Sequence, residues 1–289
     1  MTASEPATAD RLRAALTGGP VLMPGVWDPL SARLAESAGF GTVFLSGYCV
    51  AGTALGVPDV GLLTQSEMAD AARRVCAAVS ANVVVDGDTG YGNPLNVART
   101  VDLWEAAGAA GIFLEDQVWP KRCGHLAGKQ VVARDEWLAK LRAALQRRTS
   151  LFVTARTDAR APLGLEEAIE RARMAAGEGV DAVFVEAPES VDELERIASA
   201  LPGITLVANM VERGRTPLLG PDQLADLGFR LVVSPLSGLF RAVHAMAEAY
   251  GQLAGEGSLR QHLEGLVEFD EFSEVVGLAD WLGLDEQPG

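Results

Sequence analysis

Cysteine is scarce in this chain. Cys49, Cys76 and Cys123 stand far apart in 289 residues, an odd, scattered set that excludes a disulfide framework and predicts a reducing, cytoplasmic setting. No apolar run approaches the roughly 18 residues of a membrane span. Residues 1–10 are polar and acidic, without the charged and apolar regions of a secretory leader. Positive charge is in deficit: 24 Lys and Arg face 39 Asp and Glu, a formal net charge of −15. That excludes nucleic acid and anionic membrane as partners, since both need a basic surface. With three histidines and no Cys/His cluster at zinc spacing, a soft-ligand metal site is excluded as well. An anionic substrate would need a local remedy for the acidity, a metal and a few arginines.

What the chain has is alternation. Short β-rich apolar runs predict strands at Val21–Val26, Thr42–Gly47, Asn82–Asp88, Gly111–Asp116, Leu151–Asp158, Ala182–Pro188, Ile204–Met210 and Arg230–Leu236. Amphipathic stretches with helical spacing lie between them, as in Asn93–Gly108 and Leu165–Gly179. Strand-then-helix units imply parallel pairing, and eight of them predict one (β/α)8 barrel domain over 1–289. A doubly wound sheet is the runner-up, but Pro24-Gly25-Val26-Trp27-Asp28 is no glycine-rich phosphate loop. Residues 237–289 hold more helix than barrel closure requires. Their apolar stretch from Phe269 to Leu284 must cover the chain's own barrel or a neighbouring subunit, so a homo-oligomer is expected.

The strands turn polar where they end: Ser46-Gly47, Asp86-Gly87-Asp88, Glu115-Asp116, Arg156-Thr157-Asp158, Glu186, Asn209, and Pro235-Leu236-Ser237. In a parallel barrel these ends share one mouth. A single polar strand end merely starts a loop; seven together, carrying charge straight after apolar runs, predict a site. Asp86 and Asp88, two apart on one strand, are expected on one face. With Glu115 and Asp59 they make an oxygen-only set suited to Mg2+, or alternatively Mn2+. Gly87, Gly90 and Gly92 are read as permitting close approach of a ligand. Arg156 has the planar fork that clamps a carboxylate, or a salt bridge to Asp158 or Glu186. Ser46 and Gly47 offer backbone N–H groups to an oxyanion. Gln117–Val132 is long enough for an active-site lid. In it, Cys123 lies among Lys121, Arg122 and His125, a setting that favours an acid/base or nucleophilic thiol.

Three segments carry a resemblance: Asp86-Gly87-Asp88-Thr89-Gly90-Tyr91-Gly92-Asn93, Glu115 through Lys121-Arg122-Cys123-Gly124-His125, and Ala155-Arg156-Thr157-Asp158-Ala159. They resemble the isocitrate lyase/phosphoenolpyruvate mutase superfamily, with Lys121–His125 the most specific, and the likeness runs from Pro24 to about Trp281. Ser46-Gly47-Tyr48, Leu55–Asp59, Gly61–Thr64, Trp119, Ala159–Pro162 and Gly164–Glu167 are similar to its oxaloacetate hydrolase and 2-alkylmalate lyase branch, with methylisocitrate and dimethylmalate lyases close behind. The resemblance implies a modified barrel whose eighth helix swaps between subunits, in a dimer of dimers. It implies direct Mg2+ ligation by Asp86, with Asp59, Asp88 and Glu115 acting largely through waters. It puts substrate on Ser46, Gly47, Tyr48, Asp86, Lys121, Gly124, His125, Arg156, Glu186, Asn209, Pro235 and Ser237, and makes Cys123 the general acid. Tyr48, Glu115 or a metal-bound water remain alternatives for the base.

The expected function is Mg2+-dependent cleavage of a small 2-hydroxy dicarboxylate, of 2-alkylmalate or 2-methylisocitrate type, to a 2-oxo acid and a carboxylate. Oxaloacetate hydrolysis and phosphonomutase or phosphonopyruvate chemistry are the alternatives, and a non-catalytic carboxylate-binding barrel is the rival of another class. Tyr91 and Trp119 depart from methylisocitrate lyases. Pro235 stands near where oxaloacetate hydrolases prefer serine, which favours the lyase. The long insertions of isocitrate lyases are absent.

Overall fold

The structure, a computed structural model, describes residues 8–124 and 128–285. Among these, eight parallel strands pair in chain order and close on themselves. They are β1 Val21–Val26, β2 Thr42–Leu45, β3 Asn82–Asp86, β4 Gly111–Glu115, β5 Phe152–Thr157, β6 Ala182–Val185, β7 Thr205–Asn209 and β8 Phe229–Ser234. The expected barrel is therefore present. Several strands stop one to three residues before the sequence pattern suggests.

The helices are α1 Thr8–Thr17, α2 Pro29–Ser37, α3 Gly47–Val50, α4 Gln65–Cys76, α5 Pro94–Ala107, α6 Arg134–Arg147, α7 Arg160–Leu163, α8 Leu165–Gly177, α9 Val191–Ala200, α10 Pro221–Asp226, α11 Ser237–Glu256, α12 Phe269–Val275 and α13 Leu278–Asp285. Local chemistry sets their ends. At α5, Asn93 Oδ1 accepts from the Leu95 and Asn96 N–H groups at 2.9 and 3.3 Å, Pro94 occupies the first turn, and Gly108 closes the helix at φ 88°.

Strand parity divides the core in two. One face of each strand packs under the helices: Val43, Leu45, Val83, Val85, Ile112, Leu114, Val153 and Ala155 meet Met68, Val97, Val101, Trp104 and Leu141. The other face fills the barrel, with Met23, Phe44, Val84, Phe113, Phe152, Phe184, Val207, Leu231 and Val233 in one cluster. Leu12 and Leu16 of α1 pack into that cluster from the N-terminal end, so the interior is plugged below and reachable from above.

Beyond the strands, α11 starts at Ser237. Of α11, which follows β8 directly, Leu239 alone is buried; Phe240, Val243, Met246, Tyr250 and Leu253 are exposed. The stretch Phe269–Leu284 is two helices rather than one, broken at Gly277, whose φ is 73°. Phe269, Phe272, Trp281 and Leu282 are exposed. No helix among the described residues is long and apolar enough to cross a membrane.

Candidate active site

The mouth is built in layers. Phe44, Phe113, Phe184 and Val233, from β2, β4, β6 and β8, form a floor, the four-from-alternate-strands layer of a filled barrel. Two residues further along the same chains come Ser46, Glu115, Glu186 and Pro235. The odd strands put Asp86, Arg156 and Asn209 at the intervening height. Gly25 of β1 has no side chain there for a steric reason: a Cβ would lie 1.8 Å from the Pro235 carbonyl oxygen. A small pocket opens above the floor, lined by the floor residues with Ser46, Tyr48, Asp59, Asp86, Arg156, Glu186, Asn209 and Pro235, and by Lys121–Gly124 of the following loop.

The acids gather on the β2–β4 side. Asp86 ends β3; its carboxylate accepts from Gly47 N–H at 3.3 Å and from Asp88 N–H at 3.1 Å. Asp88 is not on the strand, contrary to the same-face argument. It adopts a left-handed backbone at φ 45°, and its side chain meets the Lys121 ammonium at 2.8 Å, which also contacts Asp59 at 2.5 Å. Burial, then the charges of Asp86 and Asp59 against the opposing pull of Lys121, push Asp88 up to about 7. Glu115 is raised well above its ordinary value, chiefly by burial. Its Oε2 lies 3.2 Å from Arg156 Nη1, while its Oε1 has no hydrogen-bond partner among the described residues.

Arg156 is the penultimate residue of β5 and stacks over the Phe184 ring at 5.5 Å. It lines the pocket and makes the expected salt bridges, with Asp158 at 2.9 Å and Glu186 at 3.4 Å, and also meets Glu115 at 3.2 Å. Asn209 Nδ2 donates to the Glu186 carboxylate at 3.3 Å. Cys123 reaches the pocket wall from the loop after β4, while Cys49 is buried against the Pro235 carbonyl, 3.2 Å away. Tyr48 lines the pocket with its ring edge-on to Phe240; burial raises its pKa, and Cys123, Cys49 and Asp59 raise it further. Tyr91 lies between Trp104 and Trp119 at 6.1 and 6.2 Å.

Several expectations need correction. The Ser46 and Gly47 N–H groups are spent within the protein, on the Val26 carbonyl at 3.1 Å and on Asp86. Gly87, Gly90 and Gly92 admit the chain itself rather than a ligand: a Cβ would meet the Phe113 carbonyl at 2.6 Å, Val97 at 2.3 Å and Asn96 at 2.4 Å. Ser237 lines the adjoining cavity, which shares Tyr48, Asp59 and Cys123 with this pocket, and donates to Glu212. Gly47, Asp88 and Glu115 sit behind the wall rather than on it. His125 lies outside the described residues. Sequence reasoning missed Gln117 and Lys129, which hold the loop from inside. Their only signal was polarity in a loop, and nothing there foretold that both are buried.

Residues 12–254 match the family described as phosphoenolpyruvate phosphomutase. The chain belongs to this family. Among relatives, the petal death protein of Dianthus caryophyllus is 46% identical over 93% of this chain and 85% of its own. The 2-methylisocitrate lyase of Aeropyrum pernix is 38% identical over 92% and 86%. Among solved structures, 2,3-dimethylmalate lyase, a member of the PEP mutase/isocitrate lyase superfamily, superposes with a TM-score of 0.93 at 37% identity, covering 98% of this chain and 96% of that one. Oxaloacetate acetylhydrolase bound to 3,3-difluorooxalacetate gives 0.92 at 36%, covering 96% of each. Phosphonopyruvate hydrolase with oxalate and Mg2+ gives 0.87 at 30%, covering 98% and 99%. That structure carries Mg2+ together with oxalate, and lyases are prominent among the relatives.

The residues here fit such an ion. All the donors are oxygens, and Asp59, Asp86, Asp88, Glu115, Asp158 and Glu186 outnumber the cations Lys121, Lys129 and Arg156 set among them. Glu115 Oε1 is an acceptor in want of a donor. Among the described residues, no three acids converge closely enough to hold an ion directly.

Proposed function

We propose that the chain is a Mg2+-dependent carbon–carbon lyase that splits a small 2-hydroxy dicarboxylate, of 2-alkylmalate or 2-methylisocitrate type, into a 2-oxo acid and a carboxylate. One observation carries this reading: a cysteine thiol, Cys123, shares a single small pocket with Asp86 and Arg156. A metal ligand, an anion clamp and a proton donor are the three parts that a reversed Claisen- or aldol-type cleavage requires.

Asp86 would hold the ion directly, with Asp59, Asp88 and Glu115 reaching it through water. Bound there, Mg2+ would lower the pKa of the substrate's 2-hydroxyl. Arg156 holds a substrate carboxylate with its fork while Asp158 and Glu186 fix its orientation. Tyr48, with a raised pKa, keeps its proton and suits hydrogen-bond donation better than the role of base. Glu115, acting through a water, takes the 2-hydroxyl proton; the O–H electron pair becomes the carbonyl of the 2-oxo acid, the C2–C3 bond breaks with its pair moving onto the departing carboxylate fragment, and Arg156 and Asn209 meet the developing charge. Cys123 gives that carbon a proton. The floor of Phe44, Phe113 and Phe184 excludes water below the reacting atoms.

Oxaloacetate hydrolysis is the second reading, favoured by the likeness to oxaloacetate acetylhydrolase. Against it, Pro235 puts neither a hydroxyl nor an N–H at its place in the pocket wall. Turnover of 2-alkylmalates, 2-methylisocitrate, dimethylmalate, oxaloacetate and phosphonopyruvate with Mg2+, read by mass, separates the readings. A 2-oxo acid from a hydroxy diacid, lost with EDTA and sharply reduced by Cys123→Ser, supports the lyase. Oxalate and acetate would replace it with the hydrolase. Inorganic phosphate would indicate phosphonopyruvate chemistry.

The exposed apolar faces of α11, α12 and α13 are proposed to be covered by a second copy through exchange of these helices, in a dimer or a dimer of dimers. Sedimentation would give the stoichiometry.

A further inference from the structure

Two side chains grip the backbone on either side of Cys123. Gln117 Nε2 donates to the Arg122 carbonyl at 2.8 Å, and Gln117 Oε1 accepts from the Arg122 N–H at 2.9 Å. On the other side, Lys129 Nζ donates to the Gly124 carbonyl at 2.5 Å and to Asp158 Oδ1 at 2.7 Å. The base of the loop is fastened as an antiparallel bridge between Gln117 and Val131. There Val118 N–H donates to the Gln130 carbonyl at 2.8 Å and Val132 N–H to the Asp116 carbonyl at 2.9 Å.

Lys129 is the costly element. Its side chain is 1% exposed and that of Asp158 is 0%. A loop that only needed to cover a pocket would be held as well by apolar contacts, without a buried charge to desolvate. Asp158 also pairs with Arg156: Nη2 donates to Oδ1 at 3.1 Å, and Nε lies in ion-pair contact with Oδ2 at 2.9 Å. A line of charge-assisted contacts therefore runs from Arg156 through Asp158 and Lys129 to the Gly124 carbonyl, one residue from Cys123. Gly124 sits directly on the clamp: a Cβ there would lie 2.7 Å from Arg156 Nη2 and 2.7 Å from Glu186 Cδ. Neither Lys129 nor Gln117 lines the pocket.

We propose that Lys129, assisted by Gln117, is a positioning residue that fixes the Cys123 thiol relative to Arg156. The shared carboxylate of Asp158 sets the substrate clamp and the proton donor together. This rests on the reading of Cys123 as proton donor and adds what places it.

The test is a double-mutant cycle on the full chain. Lys129→Met and Gln117→Met are made in wild type and in Cys123→Ser, and kcat, KM and Tm are measured with Mg2+ on the diacid turned over. In parallel, the rate of iodoacetamide alkylation of Cys123 is followed in the native protein, which needs no substrate. Misplacing the donor lowers kcat about 100-fold, leaves KM within about threefold, and shifts the alkylation rate in both single variants. Lys129→Arg recovers part of kcat. In the Cys123→Ser background neither substitution slows turnover further, since they act through the missing thiol.

Equal slowing in both backgrounds, a change in KM alone, or unaltered alkylation in both variants overturns the proposal while leaving Cys123 its role. Wild-type turnover by Cys123→Ser removes that role and this inference with it. If Lys129→Met does not fold, Gln117→Met, which strands no buried charge, decides the question by the same cycle.

Discussion

Lys121 Nζ lies 2.5 Å from Asp59 Oδ1, with both side chains almost wholly buried. The same ammonium reaches Asp88, so one cation bridges two acids that approach the pocket from different loops. In the metal-free protein it offsets much of their repulsion. Lys121→Met should lower metal-free stability by about 3 kcal/mol, the usual consequence of stranding a buried charge. Mg2+ should then raise Tm more in the variant than in wild type, because it replaces lost positive charge. Scanning fluorimetry with and without MgCl2 checks this; equal Mg2+ shifts in the two proteins would contradict it.

The three thiols should differ sharply in reactivity. Burial pushes Cys49 and Cys76 up to about 12, whereas Cys123 lines the pocket. Alkylation of the native protein near pH 8 should therefore label Cys123 first, since the thiolate is the reactive form. Peptide mapping reads the order, and early labelling of Cys49 would be the contrary result.

Acid should weaken a clamp on the outside of the barrel. Glu105 of α5 is partly buried, which opposes its ionisation. Thr149 Oγ1 at 2.5 Å and the N–H groups of Thr149, Ser150 and Leu151 at 2.8–3.0 Å outweigh that and lower its pKa. A lowered folded-state pKa means the contribution is complete above the ordinary carboxylate range and fades as pH falls through the folded value. Glu105→Gln should cost about 1–2 kcal/mol at pH 7, allowing for partial exposure. The gap to wild type should narrow between about pH 5 and 3. Urea titrations at the two ends of that range test the sign.

Gly25→Ala should be among the most damaging small substitutions in the chain. The Pro235 carbonyl carbon would lie 2.4 Å from the new Cβ and its oxygen closer still. Neither backbone can retreat where β8 passes beside β1, so the loss should be on the order of 3 kcal/mol or more. Normal denaturation midpoints for this variant would show that the seam is softer than its geometry.

Much of the site was legible because a strand has only two faces. Phe44 and Ser46, Phe113 and Glu115, Phe184 and Glu186 each share one, so an apolar floor beneath polar groups follows from period-2 spacing once the barrel is granted. Asp88 escaped because its left-handed backbone breaks that parity. The glycines from 87 to 92 were misread because spacing does not say whose atoms come close. Lys129 escaped because burial of a loop lysine depends on Asp158, 29 residues away. The break at Gly277 was missed because the apolar residues on its two sides keep a helical spacing across it.

The proposed proton donor, Cys123, stands on one side only. Asp86 rises from β3 and Arg156 from β5, and Cys123 arrives on a loop that begins at the end of β4, between them. Three unlike groups around one small pocket make it chiral, and a substrate fastened at two of them shows a single face of its departing carbon to the third. Cleavage should therefore be selective for one enantiomer of the diacid. Where C3 carries a substituent, the carbon protonated in D2O should carry its deuterium in one configuration, a stereochemical signature written by the order of three strands.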